Sequence, residues 1–346
     1  QNSNKPTGAV RPVRVEDVAR EAGVSPITVS RALSSPAKVR AETRQRVTDA
    51  VARTGYVVNS IASTLRSGRS SIVTAFVASL QNPHFASAMQ GTIDAFEGSR
   101  YHLMFAQTGY SEELRADVVE SVLPFRPAGI LFTGVVRNED TRIALKRLGV
   151  PVVEMWGDRP DPIDMLVGSS AFEGGRLMGE HFGRQGFRRV AYCGHTLDRG
   201  AERLTGFRSG LAPFGLRPEL VLPYEGTRTF GEGMGAVDQI VAALPGCDAI
   251  FFGTDLLAVG ALLRARQRGI DIPGQLAVAG YGDLEFAEHI DPALTSIRVS
   301  DYQMGRDAGA MLLKRLMGQR IEQPIVLLPV QLMARVSTLR HAGVRE

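Results

Sequence analysis

The feature that most restricts this 346-residue chain is a rhythm that begins at Ser71. Short runs rich in β-branched and apolar residues, SIVTAFVAS, YHLMFAQ, AGILFTG, PVVEMWG, RVAYCG, AIFFGT and LAVAGYG, are separated by segments with helical spacing such as Phe85–Phe96, Glu112–Leu123 and Gly174–Gln185. Strand, helix, strand in that order predicts βαβ units and therefore parallel sheets. The runs are apolar almost throughout, so helices are expected over both faces. So many strands require two open sheets, and small molecules bind such folds beyond the carboxyl ends of the strands. The cleft between the sheets is the expected binding site.

Upstream the pattern is helical. Val15, Val18, Ala19 and Ala22 recur at helical spacing and leave Glu16, Asp17, Arg20 and Glu21 on the other face. Gly23 follows where a left-handed residue ends a helix, and Ser25-Pro26 supplies a hydroxyl N-cap and a proline at the first helical position. In the second helix Val29, Ala32 and Leu33 face inward, which leaves Pro26, Ile27, Thr28, Ser30 and Arg31 to face outward. A third helix over Ala41–Arg53 buries Val47, Ala50 and Val51 and stops at Gly55. A short second helix of this kind fits the major groove of DNA, whereas a plain helical hairpin on a larger core is the competing reading. Charge separates the two. Residues 1–70 hold 12 Lys/Arg and 5 Asp/Glu, net +7, while the remainder is net −3, so the positive charge sits at one end, as nucleic-acid binding requires.

With 44% hydrophobic and 22% charged residues the chain is expected to be ordered and globular, in two or three domains. Cys193 and Cys247 show no metal spacing and no disulfide framework, which suits a reduced cytoplasm and two buried thiols. Six histidines show no metal spacing, and the glycines make neither a GxGxxG turn nor a GxxxxGK[ST] loop. No enzyme, cofactor or metal site is therefore expected. There is no basic and apolar leader and no apolar run near 18 residues, so a cytoplasmic, nucleoid-associated location without membrane contact is predicted.

Residues 14–69 resemble the DNA-binding domain and hinge of the lactose-repressor (LacI) family, through DVAREAGVS, TVSRAL and GYVVNSIASTLRSGRS. The resemblance implies that Pro26, Ile27 and Arg31 hold the base-reading positions, with Arg31 able to donate two hydrogen bonds to a guanine. It also implies a hinge, Asn59–Arg69, that becomes a short minor-groove helix on an operator, with Asn59, Ala62 and Leu65 on the DNA and Leu65 as an apolar wedge. A helix of about seven residues is too short to persist alone, so it is expected to fold only on DNA. Three departures loosen this end: Val58 replaces a usual proline, and Arg14 and Arg40 replace hydroxyl N-caps, each poor cap typically costing about 1 kcal/mol.

From Ser71 to Ala342 the chain resembles the periplasmic-sugar-binding-protein-type effector domain of the same family, through NPHFASAMQGTIDAF, RPAGILFTG, RLTGFRSGL, AIFFGTDLLAVGALLRARQRGIDIPGQLAVAGYGD and PALTSIRV. The implied α/β organisation is a disordered tail (1–12), a helix-turn-helix headpiece (13–58), a hinge (59–70) and an effector-binding and dimerisation domain (71–341). Within the last, residues 71–186 and 299–327 form one subdomain and 187–298 and 328–341 the other. No leucine heptad follows Val336, so a coiled-coil tetramer is not expected.

Aligned motif positions imply effector contacts at His84, Phe85, Glu173, Arg203, Thr254, Asp255 and Asp283. Arg203 leads, because a guanidinium is a planar fork suited to a carboxylate. Asp255 and Asp283 lie at strand ends, where helix capping is an equal reading. Trp156 either stacks on a sugar face or fills core. Ser170-Ala171 replaces the family's frequent Asp-Asn pair and Thr254 its asparagine, which leaves a cleft less hostile to an anion. PVVEMWGD and VGSSAFEGG most resemble gluconate-operon repressors. The implied protein is a ligand-controlled repressor, a homodimer on a near-palindromic operator that responds to gluconate or a keto-sugar acid. A regulator answering to a neutral sugar or purine, and a sugar-binding module without a DNA role, are the alternatives.

Overall fold

In this computed structural model, residues 11, 13–56, 70–109, 116–224 and 229–340 are described. The chain divides into two compact units, Gln1–Gly68 and Arg69–Glu346.

The first unit has three helices, α1 (Val15–Ala22), α2 (Pro26–Ser34) and α3 (Ala41–Thr54), closed over a core of Val18, Ala19, Ala22, Val29, Ala32, Val47 and Ala50. Gly23 ends α1 at φ +63°, and the Ser25 hydroxyl accepts the Thr28 N–H at 3.2 Å to cap α2. Arg14 supplies no side-chain cap to α1, but the Asp17 carboxylate reaches back to accept the Arg14 N–H at 2.9 Å. That bond, with the charges of Arg11 and Arg20, holds the Asp17 carboxyl below its usual range. One half of a reciprocal cap thus survives at α1. None is present at Arg40. Leu33 is half-buried and Val51 likewise, at the margin of the core. The hinge positions Val58, Asn59, Ala62 and Leu65 lie outside the described residues.

The second unit holds two six-stranded sheets. In the first, β11 (Ile325–Leu327), β5 (Met165–Gly168), β4 (Val152–Met155), β3 (Gly129–Phe132), β1 (Ile72–Val77) and β2 (His102–Gln107) lie side by side, all parallel. In the second the order is β12 (Gln331–Met333), β10 (Thr295–Arg298), β9 (Ala277–Gly282), β8 (Ala249–Phe252), β6 (Val190–Gly194) and β7 (Leu220–Pro223), with only β12 antiparallel. The seven apolar runs read from the sequence are β1, β2, β3, β4, β6, β8 and β9. The other five strands, β5, β7, β10, β11 and β12, are three or four residues long.

Helices cover the sheets: α4 (Pro83–Ala95), α5 (Ala116–Val122), α6 (Glu139–Leu148), α7 (Ala171–Arg184), α8 (Asp198–Leu211), α9 (Phe230–Ala243), α10 (Asp255–Arg268) and α11 (Asp301–Leu316). The chain crosses between sheets after β5, after β10 and between β11 and β12. Helix α11 packs on α4 and on β4 and β5, with the first sheet. Helix α7 packs on α8 and β12, which places it with the second sheet and not, as the sequence division at residue 186 had it, with the first. The cause is backbone contact. A Cβ at Gly175 would lie 2.0 Å from the Arg203 carbonyl oxygen, and one at Gly206 1.9 Å from that of Phe172. Apolar periodicity is blind to such a contact, because the residues that make it have no side chain.

Replacing Gly206 with alanine should destabilise the second unit by about 1–3 kcal/mol through overpacking. In the interior of α9, Gly235 has open space, so Gly235→Ala should stabilise by about 0.5–1 kcal/mol through helix propensity. Urea unfolding of the two variants checks the pair: opposite signs are required.

Candidate functional site

Helix α2 presents Pro26, Ile27 and Arg31 to solvent, and Ile27 is 70% exposed although it is a large aliphatic side chain. Thr28 and Ser30 are half-buried, and the Thr28 hydroxyl lies 2.9 Å from that of Ser25, occupied by the cap. Three of the five positions expected to face outward therefore do so fully. Thr28 is drawn in by the helix start.

The second unit holds a cleft of about 200 Å³ at the carboxyl ends of the strands, lined from both sheets. On the first-sheet side the Asn82 side chain caps α4 by accepting the His84 N–H at 3.1 Å, which brings His84 and Phe85 into the lining. His84 Nδ1 is 2.5 Å from one Asp301 carboxylate oxygen, and Trp156 Nε1 donates to the other at 3.1 Å. Phe85 meets Trp156 edge to face, centroids 4.9 Å apart. Trp156 is buried and follows β4 with φ +58°, a left-handed backbone that a bulky residue rarely adopts. Such strain concentrates at functional sites.

Burial opposes protonation of His84, but the charge and hydrogen bond of Asp301, aided by Asp255, outweigh it and raise the imidazole above its ordinary 6.5. Gly282 is the second sheet's contact here: a Cβ at that position would sit 2.0 Å from His84 Cε1.

From the second-sheet side α8 contributes Asp198, Arg199 and Arg203. Arg203 stacks on Tyr281, its guanidinium carbon 3.6 Å from the ring centre, and donates from Nη1 to the Gly253 carbonyl at 2.6 Å. Its buried Nε finds no acceptor among the described residues. Arg199 lies 5.9 and 5.8 Å from the ring centres of Phe85 and Trp156, so a cation of one lobe faces the aromatic pair of the other. Counting Arg137, the lining carries three guanidiniums and the imidazoles of His84 and His195 against the carboxylates of Asp198 and Asp301.

Of the seven contacts implied by resemblance, His84, Phe85, Arg203 and Thr254 line this cleft. Thr254 also caps α10, its hydroxyl 3.4 Å from the Leu257 N–H. Three stand elsewhere. Asp255 is fully buried and accepts from the Ser296 hydroxyl at 2.6 Å and the Leu284 N–H at 2.7 Å, and burial raises its carboxyl. Asp283, at φ +55°, is clamped between Arg298 at 2.7 Å and Arg335 at 2.6 Å. Glu173 pairs with Arg176 at 2.6 Å, and that bond lowers its carboxyl. Each carboxylate has found its partners within the fold. Arg137, Arg199, Asp301 and Tyr281 were not singled out from sequence. For Arg199 a signal was present, since it stands four residues before Arg203 and so shares its helix face.

Among the described residues no group of three His, Cys, Asp or Glu is placed to hold a metal. Both cysteines are buried, which pushes their thiols up to about 12. No described helix is long and apolar enough to cross a membrane.

A model of the bacterial regulatory proteins of the lacI family matches residues 14–59, and one of the periplasmic binding protein-like domain matches residues 180–338. The chain is 35% identical over 328 residues to the HTH-type transcriptional regulator GntR of Pseudomonas aeruginosa, covering 94% of this chain and 95% of that one. Its Escherichia coli namesake is 29% identical over 90% of this chain and 94% of its own length. Among solved structures, a LacI-family transcriptional regulator from Silicibacter pomeroyi superposes with a TM-score of 0.89 at 29% identity, over 95% of this chain and all of that one. The lac repressor dimer bound to operator and the anti-inducer ONPF gives 0.78 at 25%, with the same coverage.

Because the folded pKa of His84 is raised, its protonation contributes stability that is complete below the unfolded value near 6.5 and is lost as pH rises through the folded value. The melting temperature of the second unit should fall across that interval. Asp301→Asn should flatten the dependence, and calorimetry from about pH 6 to 9 checks both.

Proposed function

This chain belongs to the lacI family of bacterial regulatory proteins, and we propose that it is a repressor that binds a near-palindromic operator as a homodimer and responds to a sugar acid such as gluconate or a ketogluconate. At the coarser level it is a ligand-responsive transcriptional regulator that binds operator DNA and a small-molecule effector, and it is not an enzyme. The observation that carries the effector reading is the lining of the cleft. Arg203, whose buried Nε has no acceptor among the described residues, lines a site with more cationic than anionic side chains, and such a site favours a carboxylate with hydroxyls over a neutral sugar. Asp283 is paired with two arginines and Asp255 is buried and hydrogen-bonded within the fold, so neither carboxylate lines the cleft to repel an anion.

Residues 13–58 act as the headpiece, with Pro26, Ile27 and Arg31 on the bases and Thr28 and Ser30 supporting them. Asn59, Ala62 and Leu65 form the hinge contacts, within 59–70. Effector bound in the cleft changes the angle between the lobes of 71–341, and with it the separation of the two hinges. Folding of the hinge on DNA is thereby coupled to occupation of a remote site. Such a protein works in the cytoplasm, on the nucleoid.

A thermal-shift panel of gluconate, 2-ketogluconate, neutral sugars and purines tests the effector. A ligand at about 100 times its Kd stabilises by about 2.7 kcal/mol, and response to neutral sugars or purines alone would overturn the acid. Arg203→Ala should abolish the shift and leave operator retention intact. On the DNA side, Arg31→Ala should weaken a selected operator by about 1–3 kcal/mol and leave non-specific binding nearly unchanged, read by titration at fixed salt.

A further inference from the structure

Across the cleft, Arg137 belongs to the loop that follows β3 of the first sheet, and Asp198 and Glu202 belong to the first two turns of α8 over the second. Arg137 Nε pairs with the Asp198 carboxylate, and its Nη2 reaches Glu202 at 3.4 Å. All three side chains are between a third and a half exposed, Arg137 at 46%, Asp198 at 37% and Glu202 at 36%, so the pairs lie at the mouth and not in the interior. Asp198 adopts φ +47°, a left-handed backbone that aspartate tolerates better than most residues. Burial and the nearby charge of Asp158 raise the Glu202 carboxyl, and Arg137 opposes them.

The loop that carries Arg137 is not free to follow. The Val136 N–H donates to the buried Glu154 carboxylate at 2.7 Å, and the Val136 carbonyl accepts from Arg142 at 3.2 Å and from Arg159 at 3.0 Å. Glu154 is fully buried on β4 and also accepts the Ile163 N–H at 2.7 Å. With both backbone polar groups of Val136 pinned to the first lobe, Arg137 parts from Asp198 and Glu202 when the lobes move apart, not when a loop swings.

We propose that Arg137, Asp198 and Glu202 form an ion-pair latch across the mouth of the cleft, which biases the lobes toward closure and sets how long an effector stays bound. The residence-time part rests on the cleft being the effector site; the closure part does not. Pairs as exposed as these each shift an equilibrium by about two- to fivefold, so the latch biases closure without locking it.

The test uses the full chain and Trp156, the single tryptophan, which lines the cleft and reports its occupant by fluorescence. Gluconate is the probe. Arg137→Glu should speed its release about tenfold, and pairing that change with Asp198→Arg should bring the rate back to within about twofold of the natural protein. In the ligand-free protein, amide exchange at the lining residues Gly253, Thr254, Tyr281 and Gly282 should quicken in Arg137→Glu, return in the charge-swapped pair, and stay unchanged inside the sheets. Equal exchange in the natural protein and Arg137→Glu, or a swapped pair as fast as the single variant, would overturn the latch. If gluconate binds none of these proteins, the effector reading fails and the exchange arms still decide the latch.

Discussion

Backbone-to-backbone contact between helices sets the geometry on which the cleft depends. Three helix pairs meet through glycines whose Cβ would strike a neighbouring carbonyl: Gly91 and Gly305 between α4 and α11, Gly175 and Gly206 between α7 and α8, and Gly233 and Gly260 between α9 and α10. Each pair lies over a sheet, so these contacts fix the depth at which α4, α8 and α11 begin. Those helix starts supply His84 and Phe85, Asp198, Arg199 and Arg203, and Asp301. The protein interior is packed like a crystal, and a helix held by its backbone against another cannot shift by a fraction of an ångström without cost.

Carboxylates divide into those satisfied by the fold and those left to the cleft. Asp255, Asp283 and Glu154 stand near strand ends and are filled by backbone N–H groups, a hydroxyl or arginines. Asp301 is filled too, but by His84 and Trp156, which themselves line the cleft. That makes one carboxylate a junction between the cleft lining and the helix it begins. The left-handed residues Trp156 and Asp198 lie in the same lining.

The small headpiece obeys a different constraint. Its core is seven small or β-branched residues, and three helices of 8, 9 and 14 residues depend on caps to stand. Asp17 repairs at α1 what Arg14 lacks, and Ser25 caps α2 while drawing Thr28 inward. The capping residues and the fully exposed residues of α2 are thus different members of one short helix.

The amino-acid sequence alone carried the fold class, the organisation into a helical unit and a two-sheet unit, and the exposed positions Pro26, Ile27 and Arg31. Hydrophobic period, caps and charge asymmetry are local properties, and they survive translation into structure. It also located half of the cleft, through His84, Phe85, Arg203 and Thr254. Tertiary packing alone gave Asp255 and Asp283 their partners inside the fold and Glu173 a partner on its own helix, seated α7 with the second sheet, and brought Arg137, Arg199 and Asp301 into the lining. The reason is that a carboxylate at a strand end looks the same along the chain whether it meets solvent, a ligand or an arginine 52 residues away. Its neighbours are set by packing, and the glycines that control that packing carry no pattern of their own.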